Sequence, residues 1–196
     1  MNLWALLLSC LGMVTSSCST TVDQPRPVSV IVLVGTDRED SNTQIVAQHL
    51  MDAYVKSGVE SKLWRVTDFG IDEFYAPTAY QRKPASFTTF NKELMQAELV
   101  VLVTPEYNHS VPAPMARVVN LLDPASLRDR KFAVVSLSIG SLGGSYARDH
   151  LKETLGALGA QLDDDLNLTL GEVHKITKGT GIYAEHADKI AAALAY

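Results

Sequence analysis

The sequence VSVIVLVGTDREDSNT, residues 28–43, joins a nearly continuous apolar run to a polar loop that opens a helix. Short continuous apolar runs rich in β-branched residues are typical of parallel strands that are buried on both faces. Two later runs, residues 99–103 (LVVLV) and 132–137 (FAVVSL), have the same character. These three runs predict the central strands of a parallel sheet.

Two further segments, residues 60–66 and 166–170, alternate between apolar and polar side chains, as strands at the edges of a sheet do. Helical patterns cover residues 41–57, 114–122, 145–158 and 185–194. Ser41 is the expected N-cap of the first helix and Gly58 its stop. The alternation of strands and helices predicts an α/β fold with a doubly wound, parallel, five-stranded sheet in the order 2-1-3-4-5.

The segment from residue 70 to residue 90 shows no clear periodicity, and we expect it to form a long loop. Trp64, on an outer strand, is expected to pack into the core. In the predicted strand order a ligand crevice opens beyond the carboxyl ends of strands one and three. The most distinctive loops of the chain follow those ends.

The first of these loops, residues 35–43, has the chemistry of an anion site. Gly35 permits a sharp turn, and the helix N-terminus behind the loop favours a negative charge. Hydroxyl, amide and guanidinium donors follow at Thr36, Arg38, Ser41, Asn42 and Thr43. This set suits a terminal phosphate monoester, and the alternative is a plain polar loop with a serine cap. No lysine precedes Ser41 and no Gly-x-Gly follows the strand, so triphosphate and dinucleotide loops are excluded.

The second and third loops suit a flat heterocycle such as a flavin ring. Residues 104–112 are stiffened by prolines, which would hold the backbone donors and acceptors in a fixed array. The alternative is a rigid connection in which Tyr107 packs on the sheet edge. Residues 138–145 are rich in glycine and would allow main-chain N–H groups to approach the pyrimidine edge of a flavin.

Taken together, the three loops resemble those of the NADPH-dependent FMN reductase family, which includes flavin, quinone, azo-dye and chromate reductases. The motifs that carry the resemblance are Gly35-Thr36-x-Arg38-x-x-Ser41-x-Thr43, Pro105-Glu106-Tyr107-Asn108-x-Ser110-x-Pro112 and Gly143-Gly144. The resemblance extends from about Val28 to the carboxyl terminus. It implies that residues 28–196 form one flavodoxin-like, FMN-binding reductase domain.

The resemblance also implies which residues hold the cofactor. The FMN phosphate would be bound by Thr36, Arg38, Ser41, Asn42 and Thr43. The isoalloxazine ring would be lined by Pro105, Glu106, Tyr107 and Asn108, and its other edge by Ser141, Leu142, Gly143 and Gly144. The flavin would carry the chemistry, so that neither a catalytic side chain nor a metal is expected.

The implied activity is that of an oxidoreductase, passing hydride from NADPH or NADH through FMN to a small acceptor. Quinones, flavins, azo compounds and metal oxyanions are the acceptor classes. The alternatives are a flavodoxin-like electron carrier and a non-catalytic exported protein that has kept the fold. The family generally forms homodimers or homotetramers. The helix after Pro112, which often packs between subunits, departs from the family pattern at Ala116, Asn120 and Leu121.

Composition excludes several other classes of protein. A net charge of -5, a pI near 5.5 and the lack of a basic run argue against a nucleic-acid partner. Cys10 and Cys18 are the two cysteines of the chain. Everything after Cys18 therefore lacks disulfides, thiolate nucleophiles and thiolate metal sites.

The amino-terminal residues 1–27 form an apolar leader and a polar linker. The run at residues 3–14 has the length of a secretory signal core, and small residues precede Cys18, which resembles a bacterial lipoprotein signal. No lysine or arginine precedes Arg26, which favours an unstructured extension or an over-long translation start. The family resemblance implies a cytoplasmic protein, and the alternative is export with a membrane tether through Cys18.

Overall fold

The computed structural model describes residues 29–70 and 84–193, in which a parallel sheet forms the centre. Its strands are β1 (Val30–Val34), β2 (Ser61–Arg65), β3 (Leu99–Pro105), β4 (Lys131–Leu137), β5 (Gln161–Leu162) and β6 (Leu168–Leu170). The order is β2-β1-β3-β4-β5, with every pair parallel, which confirms the predicted topology. The predictions for residues 1–27 lie outside the described residues.

Burial of the strands follows the pattern of their sequences. Strands β1 and β3 are buried along their whole length, and β4 is buried after its first residue. Strand β2 is half-buried at every position, as the alternation of its side chains predicts for an edge strand.

The fifth position of the sheet is divided between two short strands. Strand β5 pairs with the beginning of β4 and β6 pairs with its end. Asn167 bridges the gap, because its Oδ1 accepts a hydrogen bond of 2.7 Å from the backbone N–H of Val134. A side chain thus satisfies a buried strand amide that a continuous edge strand would otherwise bond.

The helices and a small hairpin complete the fold. The helices are α1 (Asn42–Lys56), α2 (Ala85–Leu94), α3 (Ala113–Leu121), α4 (Pro124–Leu127), α5 (Ser145–Ala157) and α6 (Ala184–Ala193); the hairpin is β7 (Thr177–Lys178) and β8 (Gly181–Ile182). The four predicted helices are confirmed. Ser41 caps α1 by accepting from the N–H of Gln44, and Gly58 follows the helix in the left-handed region at φ 81°.

Helix α2 corrects the prediction of a loop over residues 70–90. That prediction was wrong for residues 85–90, and residues 71–83 lie outside the described part of the chain. Phe87, Phe90 and Leu94 are buried on one face of α2 at helical spacing. Residues 70–90 contain Phe87 and Phe90 but not Leu94, and two apolar positions alone do not define a helical period.

The sheet separates two apolar layers. Alternate residues of β1 point to opposite faces, so that Ile31 packs with α2, α3 and α5 and Val32 packs with α1 and α6. Trp64 packs against the first layer and stacks on Phe69 at 5.5 Å, which confirms its predicted place. None of the described helices is long and apolar enough to cross a membrane.

Candidate active site

A cleft of about 230 Å³ opens at the carboxyl ends of β1, β3 and β4. Its lining consists of Arg38, Asp40, Ser41, Asn42, Thr43, Pro105, Glu106, Tyr107, Leu137, Ser138, Ile139 and Val173. The strand order reverses between β1 and β3, and such a reversal is where open α/β sheets bind their ligands. The sheet therefore brings the first and second loops together, as the sequence predicts.

The first loop is seated tightly on the sheet at Gly35. Its N–H donates to the carbonyl of Val103 over 2.8 Å. A Cβ at this position would lie 3.0 Å from the Val103 oxygen and would collide with the side chain of Met115. Gly35 is therefore required for the close approach of the loop to β3 and α3.

Thr36 lies beneath the loop, where only 3% of its surface is exposed, and it does not line the cleft. Its Oγ1 accepts from the N–H of Arg38 over 3.2 Å and lies 2.9 Å from the hydroxyl of Tyr107. A hydroxyl has one proton and two lone pairs. If Tyr107 is the donor, both lone pairs of Thr36 are used and its own proton stays available to an anion.

The start of α1 supplies the donors of the anion site. Ser41, Asn42 and Thr43 all line the cleft, and the first turn of the helix contains no acidic residue. The first N–H groups of a helix have no partner within it, and the helix dipole places positive potential there. Arg38 adds an exposed guanidinium at the rim of the cleft.

Three carboxylates neighbour Arg38 in the sequence, so the loop is not a simply cationic site. Asp37, Glu39 and Asp40 are all exposed, and Asp40 lines the cleft. The site therefore depends on directed hydrogen-bond donors more than on net charge. Asp40 is not among the site residues predicted from the sequence, which are hydrogen-bond donors.

Backbone conformation around the cleft is tightly constrained. Asp40, Asn108 and His109 have left-handed φ values of 49°, 51° and 57°, and Glu172, next to the cleft residue Val173, has 49°. Such values are uncommon for residues other than glycine, although Asp, Asn and His adopt them more readily than most. Surrounding contacts hold the loops in these conformations.

The second loop is fixed through Glu106, whose side chain is 7% exposed. Its backbone N–H donates to the carbonyl of Leu137 over 3.0 Å, and its Oε2 accepts from the N–H of Ala147 over 3.1 Å. Ala147 lies in the first turn of α5, so that the carboxylate caps the positive end of that helix. Glu106 also lies 3.5 Å from the ring of His109. Tyr107, next to it, faces the cleft.

The glycines of the third loop were expected to lie at the flavin, but they do not line the cleft. Leu137, Ser138 and Ile139 line the cleft, whereas the predicted residues do not; these are Ser141, Leu142, Gly143 and Gly144. A Cβ at Gly143 would lie 2.5 Å from the Thr169 side chain and 2.7 Å from the Gly171 N–H nitrogen. Gly143, at φ 63°, thus allows the loop to pack on β6 and the turn after it.

The structure therefore brings together most, but not all, of the predicted site residues in one lining. Those in the lining are Arg38, Ser41, Asn42, Thr43, Pro105, Glu106 and Tyr107, and those outside it include Thr36 and Asn108. Asp40, Leu137 and Val173 were not predicted, and Ser138 and Ile139 belong to the predicted third loop but were not among its assigned site residues. Leu137 could have been predicted to line the cleft, because it lies at the end of a predicted central strand. No sequence signal pointed to Val173, since it reaches the cleft through the pairing of β6 with β4.

The residues present fit FMN. Helix N–H groups, hydroxyls and Arg38 in the cleft lining match a phosphate, and the fixed segment from Pro105 to Tyr107 offers a wall for a ring. In the described residues, no group of three histidine, cysteine, aspartate or glutamate side chains is placed to hold a metal ion. A doubly wound sheet with this cleft defines the class of flavodoxin-like flavoproteins.

Comparison with known proteins gives the family. The sequence pattern of the NADPH-dependent FMN reductases matches residues 28–175. The chain belongs to the NADPH-dependent FMN reductase family, and it is an oxidoreductase that uses FMN and NAD(P)H.

Individual relatives agree with this assignment. The chain is 28% identical over 149 residues to the NADH:(hydroxy)cinnamate reductase subunit CrdA of Vibrio ruber, covering 74% of this chain and 72% of the relative. It is 28% identical over 140 residues to a quinone reductase of Escherichia coli, covering 69% and 73%. The flavoenzyme NAD(P)H:(acceptor) oxidoreductase FerB of Paracoccus denitrificans shares the fold, with a TM-score of 0.69, 20% identity and coverage of 85% and 94%.

Proposed function

We propose that this protein reduces quinone-type acceptors with NAD(P)H, through FMN bound in the cleft. The observation that carries the proposal is the meeting of two fixed loops at the reversal of the strand order. One loop offers the donors of a helix N-terminus, and the other offers a rigid wall that ends at Tyr107. Relatives that carry the name quinone reductase share the same family and support this acceptor class.

Each wall of the cleft has a separate task in this proposal. Ser41, Asn42 and Thr43 bind the phosphate with Arg38, and Thr36 acts from beneath the loop. Pro105 to Tyr107 orient the ring, because Glu106 is held by Leu137 on one side and by Ala147 on the other. Bound FMN would supply the hydride-carrying chemistry at this wall.

The lip of the cleft that follows β4 carries an exposed apolar side chain. Ile139 lines the cleft with 75% of its surface exposed, and Leu142 and Tyr146 nearby in sequence are also more than half exposed. In the proposal this lip leaves room for nicotinamide and then acceptor to occupy the same place in turn. The protein contributes position, and no side-chain acid or base is required.

We infer a homodimer or homotetramer from the family, and the exposed side chains of Leu142 and Tyr146, outside the cleft lining, are candidates for the subunit contact. Light scattering of the purified protein tests this part of the proposal. A cytoplasmic location suits an enzyme that needs NAD(P)H, and the alternative is export with a tether at Cys18. The intact mass of the protein from its own cells distinguishes an unmodified chain from one that begins at a lipidated Cys18.

The enzymatic part is tested by turnover. The FMN-loaded protein, mixed with NADPH or NADH and a benzoquinone, is expected to oxidise one nicotinamide for each quinone reduced. The protein without FMN should show none of this activity, which provides the control. Binding of FMN without nicotinamide oxidation would instead indicate an electron carrier. A protein that takes up no FMN would be a non-catalytic member of the fold.

A further inference from the structure

Thr177 lies directly behind the cleft, in the hairpin strand β7 and just beyond the residues 28–175 that match the family. Its side chain is buried, with 8% of the residue exposed. Its Oγ1 lies 2.8 Å from Oδ1 of Asn42 and 3.1 Å from the carbonyl oxygen of Val173. Both of these partners line the cleft. One buried hydroxyl therefore joins two walls of the site.

The direction of this hydrogen bond determines which end of the Asn42 amide faces the cleft. A threonine hydroxyl has a single proton, and a side-chain amide has an acceptor oxygen and a donor nitrogen. With Thr177 donating to Oδ1, the Nδ2 group of Asn42 is left for other partners. If Thr177 instead donated its proton to Val173, Asn42 would donate from Nδ2 to Thr177. The Oδ1 atom of Asn42 would then face away from the hairpin.

We propose that Thr177 is a positioning residue for the cofactor phosphate. Its hydroxyl holds Oδ1 of Asn42, so that the two N–H donors of that amide are presented to the anion. This inference rests on the proposed function and adds a residue that acts on the phosphate end alone. The shorter of the two Thr177 contacts, at 2.8 Å, is the one to Asn42.

The charges of the anion loop make the orientation of the Asn42 amide important for phosphate binding. Asp37, Glu39 and Asp40 add negative charge around Arg38, so the loop cannot rely on electrostatic attraction alone. A wrongly turned Asn42 amide would add an acceptor oxygen beside the phosphate. A correctly turned amide adds up to two hydrogen bonds to a charged acceptor, which are stronger than bonds between neutral groups.

The test compares FMN with riboflavin, which has the same ring but no phosphate. Titration of the full-length, flavin-free protein, followed by quenching of flavin fluorescence, gives both dissociation constants. Thr177→Val keeps the shape of the side chain and removes the hydroxyl. We expect it to weaken FMN binding about tenfold and to leave riboflavin binding unchanged. Thr177→Ser is the matched control and should restore FMN affinity.

A double-mutant cycle separates positioning from general packing. Asn42→Ala alone should weaken FMN binding, and adding Thr177→Val to it should cause no further loss, since Thr177 acts through Asn42. If Thr177→Val does not fold, as judged by its thermal melt, Thr177→Ala takes its place in both measurements. Equal weakening of FMN and riboflavin would overturn the inference, and so would additive losses in the cycle.

Two other results have distinct meanings. Tighter FMN binding by Thr177→Val would show that the native amide presents its oxygen, which contradicts the inference. A wild-type protein that binds no FMN at all would contradict the proposed function itself. Wild-type FMN binding together with an unaffected Thr177→Val variant would contradict only the role of Thr177.

Discussion

The hydroxyls of Thr36 and Tyr107 lie 2.9 Å apart, although the two residues are separated by 71 positions in the chain. This contact joins the loop after β1 to the loop after β3 at the base of the cleft. Thr36 also accepts from the N–H of Arg38, so that its one hydroxyl contacts both the anion loop and Tyr107. The wall proposed for the ring and the site proposed for the phosphate are thus coupled.

Tyr107→Phe tests that coupling. The variant keeps the aromatic ring and removes the hydroxyl, so that the Thr36 hydroxyl loses one fixed partner. We expect FMN binding to weaken by about 1 kcal/mol, or roughly fivefold in Kd, measured by fluorescence quenching. Tyr183→Phe, which alters a tyrosine outside the cleft lining, is the control. Unchanged FMN affinity in Tyr107→Phe would show that the contact has no part in binding.

Asp40→Asn should tighten FMN binding. Asp40 is an exposed carboxylate in the cleft lining, and its removal relieves repulsion of a phosphate. Its φ of 49° is readily adopted by asparagine, so the backbone is preserved. We expect a gain of about threefold at low salt that shrinks as salt is added. Asp129→Asn, at a left-handed φ of 64° and outside the cleft lining, should leave Kd unchanged.

Glu106→Gln should lower the stability of the fold. The buried Glu106 carboxylate accepts from the N–H of Ala147 at the positive end of α5, and the neutral amide loses the charge–dipole attraction. We expect a loss of about 1 kcal/mol in the free energy of unfolding, measured in urea. Glu153→Gln, on an exposed position in the middle of the same helix, should change it little. A similar loss in both variants would refute the capping role.

Tyr54 should make the protein less stable in alkali. Burial raises the pKa of its phenol above the usual value, and the oxygen has no hydrogen-bond partner among the described residues. The folded state therefore holds the proton more tightly than the unfolded state. The stability linked to this group is fully present below about pH 10 and is lost as the pH rises further.

Tyr54→Phe removes this linkage. The variant should unfold with a free energy equal to or above that of the wild type at neutral pH, because it loses a buried hydroxyl that has no partner among the described residues. Above about pH 10, urea titrations should show a smaller decline in stability for the variant than for the wild type. Parallel declines would mean that other groups control the alkaline transition.

Sequence patterns were sufficient for the centre of the fold, because the three buried strands read as continuous apolar runs and Ser41 and Gly58 bound α1 with ordinary capping chemistry. They failed where tertiary pairing decides the outcome. Asn167, in an irregular segment, accepts a hydrogen bond from the backbone N–H of Val134 in β4, and no local sequence pattern indicates this contact.

The candidate site shows the same division. The anion loop was predictable, since Ser41 and its neighbours combine donors with a helix start. The glycine at 143 was expected to approach the ligand, yet its neighbours are Thr169 and Gly171. A glycine signals a close approach of the backbone, but the sequence does not reveal which group approaches it. Val173 lines the cleft, and Thr177 contacts Asn42 behind it, only because the chain returns to the site after β6.

The most direct test of the central claim is the visible absorption of the FMN-loaded protein under anaerobic conditions, before and after one equivalent of NADPH. We expect the yellow flavin band to bleach and a stoichiometric amount of quinone to restore it. Persistence of the band after NADPH, in a protein that has bound FMN, would contradict the claim that this cleft transfers hydride from NADPH to an acceptor.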